Sequence, residues 1–240
     1  MLNKNILLSE SCQKIGIQLS EEQIEQFLVY YEYLVEKNKV MNLTGITEYE
    51  EVVLKHFVDS LSVIKVIDLK QCKKVIDVGT GAGFPGIPLK IAFPELEVVL
   101  LDSLNKRVVF LNEVIEKLHL NKITAVHARA EDAAKRKEYR ECFDLCVSRA
   151  VANLASLSEY CLPFVSIGGN FISYKSSDID EEVEQSKKAL YLLGGKVKKR
   201  EDFLLLDSDI GRSFVVIEKE RKTPAKYPRK AGLPSKEPLK

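Results

Sequence analysis

The amino-acid sequence predicts an α/β protein: a mostly parallel sheet of seven strands, helices on both faces, and a helical extension at the N-terminus. Three observations carry that expectation. Up to about residue 70 the apolar residues recur at helical spacing. After Lys74 short apolar runs alternate with amphipathic stretches. The last two apolar runs have no helical stretch between them, which points to an antiparallel pair closing the sheet.

The first strong element is a helix over 20–38. Ser20 can cap it, Gln23 completes a capping box, and Ile24, Phe27, Leu28, Tyr31, Leu34 and Val35 form its apolar stripe. A second helix is expected over 49–67, with Val53, Leu54, Phe57, Val58, Leu61 and Ile64 on one side. Five strand–helix units follow. VIDVG precedes a helix after Gly86, EVVLLD a helix from Lys106 to Leu118, and ITAVHA the stretch EDAAKRK. FDLCVSRA precedes a helix over Leu154–Phe164, and NFISYK precedes EEVEQSKKALYLL. VKKREDFLLL and SFVVIEK supply the closing pair. The end, PAKYPRKAGLPSKEPLK, has four prolines in 17 residues and is expected to be extended.

The 240 residues suit one sizeable domain with appendages: a helical extension over 1–70, the α/β domain over 71–220, and a tail over 221–240. No apolar run reaches the roughly 18 residues of a membrane span, and acid and amide come too early in MLNKNILLSE for a secretory signal. The five cysteines show no metal-ligand spacing and read as reduced thiols of a cytoplasmic protein; the three histidines, at 56, 119 and 127, are scattered, so no metal site is expected. The net charge of +1 hides an asymmetry. Residues 219–240 hold eight Lys or Arg against two acids, a net +6, and the remaining 218 carry −5. A basic tail on a mildly acidic body suits either a polyanionic partner or a solubilising end.

The stretch VIDVGTGAGFPGIP, residues 75–88, satisfies two motifs. Gly81, Gly83 and Gly86 spell the dinucleotide fingerprint, while Gly79, Gly81 and Gly83 follow an acid in the pattern common around S-adenosylmethionine. Asp102 ends the second strand, where a carboxylate can accept both ribose hydroxyls, and it serves either ligand. Two residues discriminate. Asp77 is a carboxylate inside an apolar strand, costly unless paired; the ammonium of a methionine moiety would pair with it and a pyrophosphate would be repelled. Pro85 removes an N–H donor from the helix start on which a pyrophosphate would sit. Both favour the methyl donor. Ala130 and Glu131 follow the third strand, where Ala130 can pack on adenine and Glu131 can accept from its amino group; a helix cap is the plain alternative. Ser148-Arg149-Ala150 ends the fourth strand, at the edge where such folds react. Arg149 there is a ligand or polyanion contact, or a salt-bridge partner.

The acceptor is narrowed by what is missing. SRAV stands where amino-directed enzymes place N-P-P-Y or D-P-P-Y. Cys146 and Cys161 lie on apolar faces and read as core residues rather than nucleophiles. With no acid–base pair in view, the acceptor should already be nucleophilic. Guanine N7 carries a lone pair and no proton, so methylating it needs alignment rather than a general base. Two rival readings stand beside this one: a non-catalytic RNA-binding assembly factor and, behind it, an NAD-dependent oxidoreductase.

NKVMNLTGIT (38–47), HFVDSL (56–61), VIDVGTGAGFPGIPLKI (75–91), LLDSLNKRVVFL (100–111), SRAVANL (148–154) and YPRKAGLPSKEPL (227–239) together resemble the bacterial 16S ribosomal RNA guanine-N7 methyltransferases, the glucose-inhibited division protein B family, over nearly the whole chain. The resemblance implies a Rossmann-like class I methyltransferase domain, S-adenosyl-L-methionine as cofactor, and methylation of guanine 527 in the 530 loop of 16S rRNA or the small ribosomal subunit. It implies cofactor contacts at Gly79, Phe84, Ala130, Glu131 and Arg149. The cofactor-binding set expected from all these readings is Asp77, Gly79, Gly81, Gly83, Phe84, Asp102, Ala130, Glu131 and Arg149, with Arg149 the positioning candidate. His56, Asp59 and Ser60 share a helix face on which Asp59 can pair with His56. His56, Lys175, Arg229, Lys230 and Lys236 are the candidate RNA contacts, with Gly232 and the prolines holding the tail along an extended path.

Overall fold

The computed structural model describes residues 2–149, 152–176 and 178–239. Seven strands form one sheet: β1 (Lys74–Val78), β2 (Glu97–Asp102), β3 (Ile123–His127), β4 (Phe143–Arg149), β5 (Val165–Ser176), β6 (Gly195–Leu204) and β7 (Gly211–Lys219). Their order is β3-β2-β1-β4-β5-β7-β6. β1 to β5 run parallel and β7 is antiparallel to both β5 and β6. The sequence order reverses between β1 and β4, so a crevice opens beyond the C-terminal ends of these strands.

Side chains in the central strands alternate between the two faces, as a doubly covered sheet requires, with irregularities between Phe143 and Leu145 and between Val197 and Lys199. Val75, Leu100, Leu145, Val147 and Ile172 enter one apolar cluster; Ile76, Val78, Leu101, Cys146 and Phe171 enter the other. The first cluster also contains Leu8, Phe27, Tyr30, Leu34 and Phe57. The N-terminal helices therefore share a core with the sheet. Polar bonds reinforce the junction: Gln23 Nε2 donates to Ile91 O at 2.7 Å and Tyr30 Oη to Ala82 O at 2.5 Å.

Helix Glu21–Met41 starts at Ser20 with the expected capping box and runs three residues past the predicted end, to Asn42 in the left-handed conformation. Helix Leu2–Lys14 precedes it. The second expected helix is one continuous run of changing pitch: Tyr49–Val52 is α, Val53–Val58 π, Asp59–Leu61 α and Ser62–Lys65 3₁₀. The π segment falls on the HFV motif and re-aims its side chains; such segments concentrate at functional sites. EDAAKRK yields only the short helix Ala130–Ala133. The tail is not simply extended. Gly232, at φ 82°, starts a short helix Leu233–Lys236, and Pro234 is buried. No helix among the described residues is long and apolar enough to cross a membrane.

Candidate functional site

Three cavities lie in series at the C-terminal edge of the sheet. The first, about 260 Å³, is bounded by Gly79, Asp102, Ala130, Glu131, Tyr160 and Gly232. The second, about 500 Å³, shares Gly79 and Asp102 with it and adds Gly81, Phe84, His56 and Arg149. The third, about 550 Å³, shares His56 and Arg149 with the second and reaches Asp59, Tyr174, Lys175 and Arg212. A fourth cavity, of about 390 Å³, lies at the opposite edge near Lys74 and Glu97, where β1 and β2 begin.

The glycine loop between β1 and helix Gly86–Ala92 satisfies itself. Gly79 and Thr80 N–H donate to Leu101 O, Gly83 and Phe84 N–H to Thr80 O, and Ile87 N–H to Gly83 O. Gly81 N–H donates to Asp102 Oδ2 at 2.9 Å, and Gly86 N–H to Asp77 Oδ2 at 2.8 Å. These donors are spent, so the loop has little to offer a pyrophosphate, which needs free N–H groups at a helix start. Two glycines show why the loop needs them. Gly81 has φ +62° with open space where a Cβ would point. A Cβ on Gly86 would meet Leu100 Cδ2 at 2.3 Å and Asp77 Oδ2 at 2.9 Å.

That geometry corrects the expected role of Asp77. As a neighbour of Val75 in the β alternation, it points beneath the loop, is fully buried and lines none of the three cavities. Its Oδ2 accepts from Thr80 Oγ1 at 2.6 Å and from Gly86 N–H, while Oδ1 has no protein partner. Burial pushes the carboxyl up to about 7, with the two donors pulling the other way. Asp77 thus braces the loop from below instead of offering a carboxylate to an ammonium in the cavity. Gly83 is corrected likewise: a Cβ there would meet Ile87 Cδ1 at 2.4 Å and Tyr30 Oη at 2.9 Å, so it faces the core.

Asp102 lines the first two cavities, and its oxygens also accept from Gly81 N–H and, at 2.9 Å, from Leu104 N–H. Glu131 and Ala130 line the first cavity, and Glu131 Oε1 accepts from Gly232 N–H at 2.8 Å.

At the boundary of the second and third cavities, His56 stacks on Phe84 with ring centroids 4.5 Å apart, and the Arg149 guanidinium lies over the same ring at 5.0 Å. His56 Nε2 is 2.8 Å from Thr44 Oγ1. Burial, then the neighbouring Arg149 charge, lowers its pKa to about 4, which keeps the imidazole neutral near pH 7. The expected His56–Asp59 pair does not form. Asp59 instead accepts from Arg149 Nη1 at 2.9 Å, at the end of β4, and from Arg212 Nε at 2.8 Å, at the start of β7. Arg212 and Thr44 were not singled out from sequence. Thr44 lies within the NLTGIT motif; Arg212 sits in an ordinary hairpin and carries no local signal.

Two expected RNA contacts are already engaged. Lys175 Nζ binds Glu182 Oε1 at 2.6 Å and Ala152 O at 2.8 Å. Arg229 grips the fully buried Glu159 with Nε and Nη2, at 2.9 and 2.7 Å. Lys230 and Lys236 remain exposed. Ala150 of the SRA motif lies outside the described residues.

Fold and site together define a Rossmann-like class I methyltransferase: a seven-stranded sheet with an antiparallel seventh strand, and nucleoside-sized cavities behind its glycine loop. Residues 23–206 match the family model GidB, rRNA small subunit methyltransferase G, and the chain belongs to that family. It is 56% identical over 233 residues to ribosomal RNA small subunit methyltransferase G of Acetivibrio thermocellus, covering 97% of this chain and 96% of the relative. The protein of the same name from Lachnoclostridium phytofermentans is 52% identical over 238 residues, 99% of this chain and 98% of the relative. Among solved structures, M. capricolum TrmK in complex with S-adenosyl-homocysteine superposes with a TM-score of 0.52 at 16% identity, over 68% of each chain. M. jannaschii TYW2 in complex with AdoMet gives 0.50 at 17% identity, over 61% of this chain and 69% of that one. At these identities the likeness is one of fold.

Proposed function

We propose that this rRNA methyltransferase transfers the methyl group of S-adenosylmethionine to N7 of a single guanine, guanine 527 in the 530 loop of 16S rRNA, as RNA or within the small ribosomal subunit, in the cytoplasm. One observation carries the reading: the three cavities run in series, and His56 and Arg149 stand where the second meets the third. The cavities fit the cofactor by the chemistry of their walls. Ala130 and Glu131 would take adenine, Asp102 the ribose, and Gly79, Gly81 and Phe84 the methionine portion. When bound, the cofactor supplies an electrophilic sulfonium methyl.

The protein's own residues then align the acceptor. Guanine N7 needs no deprotonation, and no general base is assigned. Neutral His56 adds no positive charge beside a sulfonium. Arg149, fixed by Asp59 and by Lys55 O at 3.2 Å, presents oriented N–H donors at the junction and is the positioning residue. Four basic side chains, Lys55, Arg149, Lys175 and Arg212, border the third cavity against two acids, Asp59 and Glu182, so its wall is net positive even with its ion pairs formed and suits RNA phosphate.

Single-nucleotide mapping of 7-methylguanine in 16S RNA, from cells with and without this gene, tests the proposal. The modification at guanine 527 disappears with the gene. Its persistence in the deletion strain overturns the site assignment.

A further inference from the structure

The C-terminal tail is rich in lysine and arginine, yet several of its polar groups bond inward. Arg229 is pinned to Glu159 through three side-chain bonds and a backbone bond, Arg229 N–H to Glu159 Oε1 at 2.8 Å. Glu159 lies on helix Leu154–Cys161, behind the nucleoside end of the cavity series. Three residues on, Gly232 N–H reaches Glu131 Oε1. Ser156 Oγ donates to Pro234 O at 2.7 Å and fixes the next turn. Upstream, Arg140 holds the approach to the tail through Thr223 O at 2.8 Å and Tyr227 O at 3.1 Å. Between these anchors, Gly232 and Ser235 line the first cavity opposite Ala130 and Asp102. The family model ends at residue 206, so this wall comes from outside the matched segment.

We propose that segment 229–236 is a built wall of the nucleoside cavity, and that through it the Arg229–Glu159 pair sets how tightly the adenosine half of an S-adenosyl compound is held. This rests on the reading that the cavity takes such compounds. Arg229 and Glu159 are positioning residues: neither lines the cavity, and both act through Gly232 and Ser235. Gly232 also occupies one oxygen of Glu131, which fixes the carboxylate beside the space for the purine. A guanidinium fork on a fully desolvated carboxylate is a strong pin, because either partner left alone is costly to bury. The position of segment 229–236 is therefore specified, and within it Lys230 and Lys236 project outward for RNA.

Calorimetric titration with S-adenosylhomocysteine and with adenosine tests this on the full chain and on a chain ending at Pro228. The shortened chain carries Glu159→Gln so that no buried charge is stranded. Both ligands are expected to bind the shortened chain at least tenfold more weakly, by equal factors, because the lost contacts lie at the adenosine end. Circular dichroism and melting establish that the variant is folded. In the full chain, saturating S-adenosylhomocysteine slows trypsin cleavage after Lys230 and Lys236 at least fivefold, a readout that needs no variant. Full-length Arg229→Lys, which keeps the charge but not the fork, falls between wild type and the shortened chain. The proposal is overturned if the folded shortened chain binds S-adenosylhomocysteine within twofold of wild type, including the case where only RNA affinity falls. It is equally overturned by unchanged trypsin cleavage with the ligand bound. A wild type that binds no S-adenosylhomocysteine sinks the cofactor reading itself, which is a different result.

Discussion

The two ends of the cleft are built by different means. At the loop end the structure is mainly backbone: successive N–H groups bond to nearby carbonyls, and two buried carboxylates, Asp77 and Asp102, take Gly86 and Gly81. At the His56–Arg149 end it is side chains. Thr44 comes from the loop after helix Glu21–Met41, His56 and Asp59 from the helical run that follows it, Arg149 from β4 and Arg212 from β7. One end depends on local geometry that glycine permits; the other depends on one carboxylate, Asp59, that joins distant segments. The loop end should therefore fail by strain or mispacking, and the charged end by loss of a single hub.

Asp59 gives the largest expected effect. Replacing it with Ala removes the acceptor from both Arg149 and Arg212, whose side chains are largely buried. Stranding such charges costs about 3–5 kcal/mol of stability. Methylation falls at least 100-fold, whereas adenosine affinity stays within threefold, because neither Asp59 nor Arg149 lines the nucleoside cavity. Asp59→Asn, which keeps one acceptor oxygen, recovers part of the rate. Single-turnover methylation with parallel calorimetry separates these effects. If Asp59→Ala weakened adenosine binding as much as turnover, the two ends would not be independent.

The same contrast explains what could be read from the sequence. The βα alternation, the antiparallel closing pair and the Ser20 capping box are written in short windows, and they appear as expected. The glycine loop was also legible, but the destination of Asp77 was not. Strand alternation carries its side chain under the loop, and that requires knowing which face the helix Gly86–Ala92 covers. The Asp59 hub was illegible for a stronger reason: its partners lie 90 and 153 residues away. Arg229 counts as free tail charge in the sequence, where its pairing with Glu159 is invisible. Glu159 reads as one acid in an apolar helix until the tail folds onto it.

Asp77 gives a smaller effect with a definite pH dependence. Burial raises its carboxyl to about 7 from the ordinary 3.8, so the native state holds this proton more tightly than the unfolded chain. Its contribution to stability is full below about pH 4 and is lost as pH rises through 7. His56 runs the other way: lowered to about 4 from 6.5, it contributes above pH 6.5 and loses that contribution as pH falls through 4. The wild-type profile mixes the two. In Asp77→Asn only the first disappears, so the melting-temperature difference, wild type minus variant, should decrease steadily from pH 4 to 8. A difference that is flat over that range would mean Asp77 is ionised throughout and the loop is braced by a charge.

The smallest effect belongs to the residues that neither end uses. Lys230 and Lys236 are exposed, while Arg229, next to Lys230, is bound inward. If the tail's outward face meets RNA phosphate, each lysine contributes mainly by releasing counterions. Lys230→Ala should then weaken binding of the small-subunit RNA several-fold at low salt and reduce the slope of log affinity against log salt by about one. S-adenosylhomocysteine binding should not change, because Lys230 lines none of the three cavities. Fluorescence anisotropy over a salt series reads the slope. An unchanged slope would confine the tail to its inward role, with the net-positive wall of the third cavity left to hold the RNA.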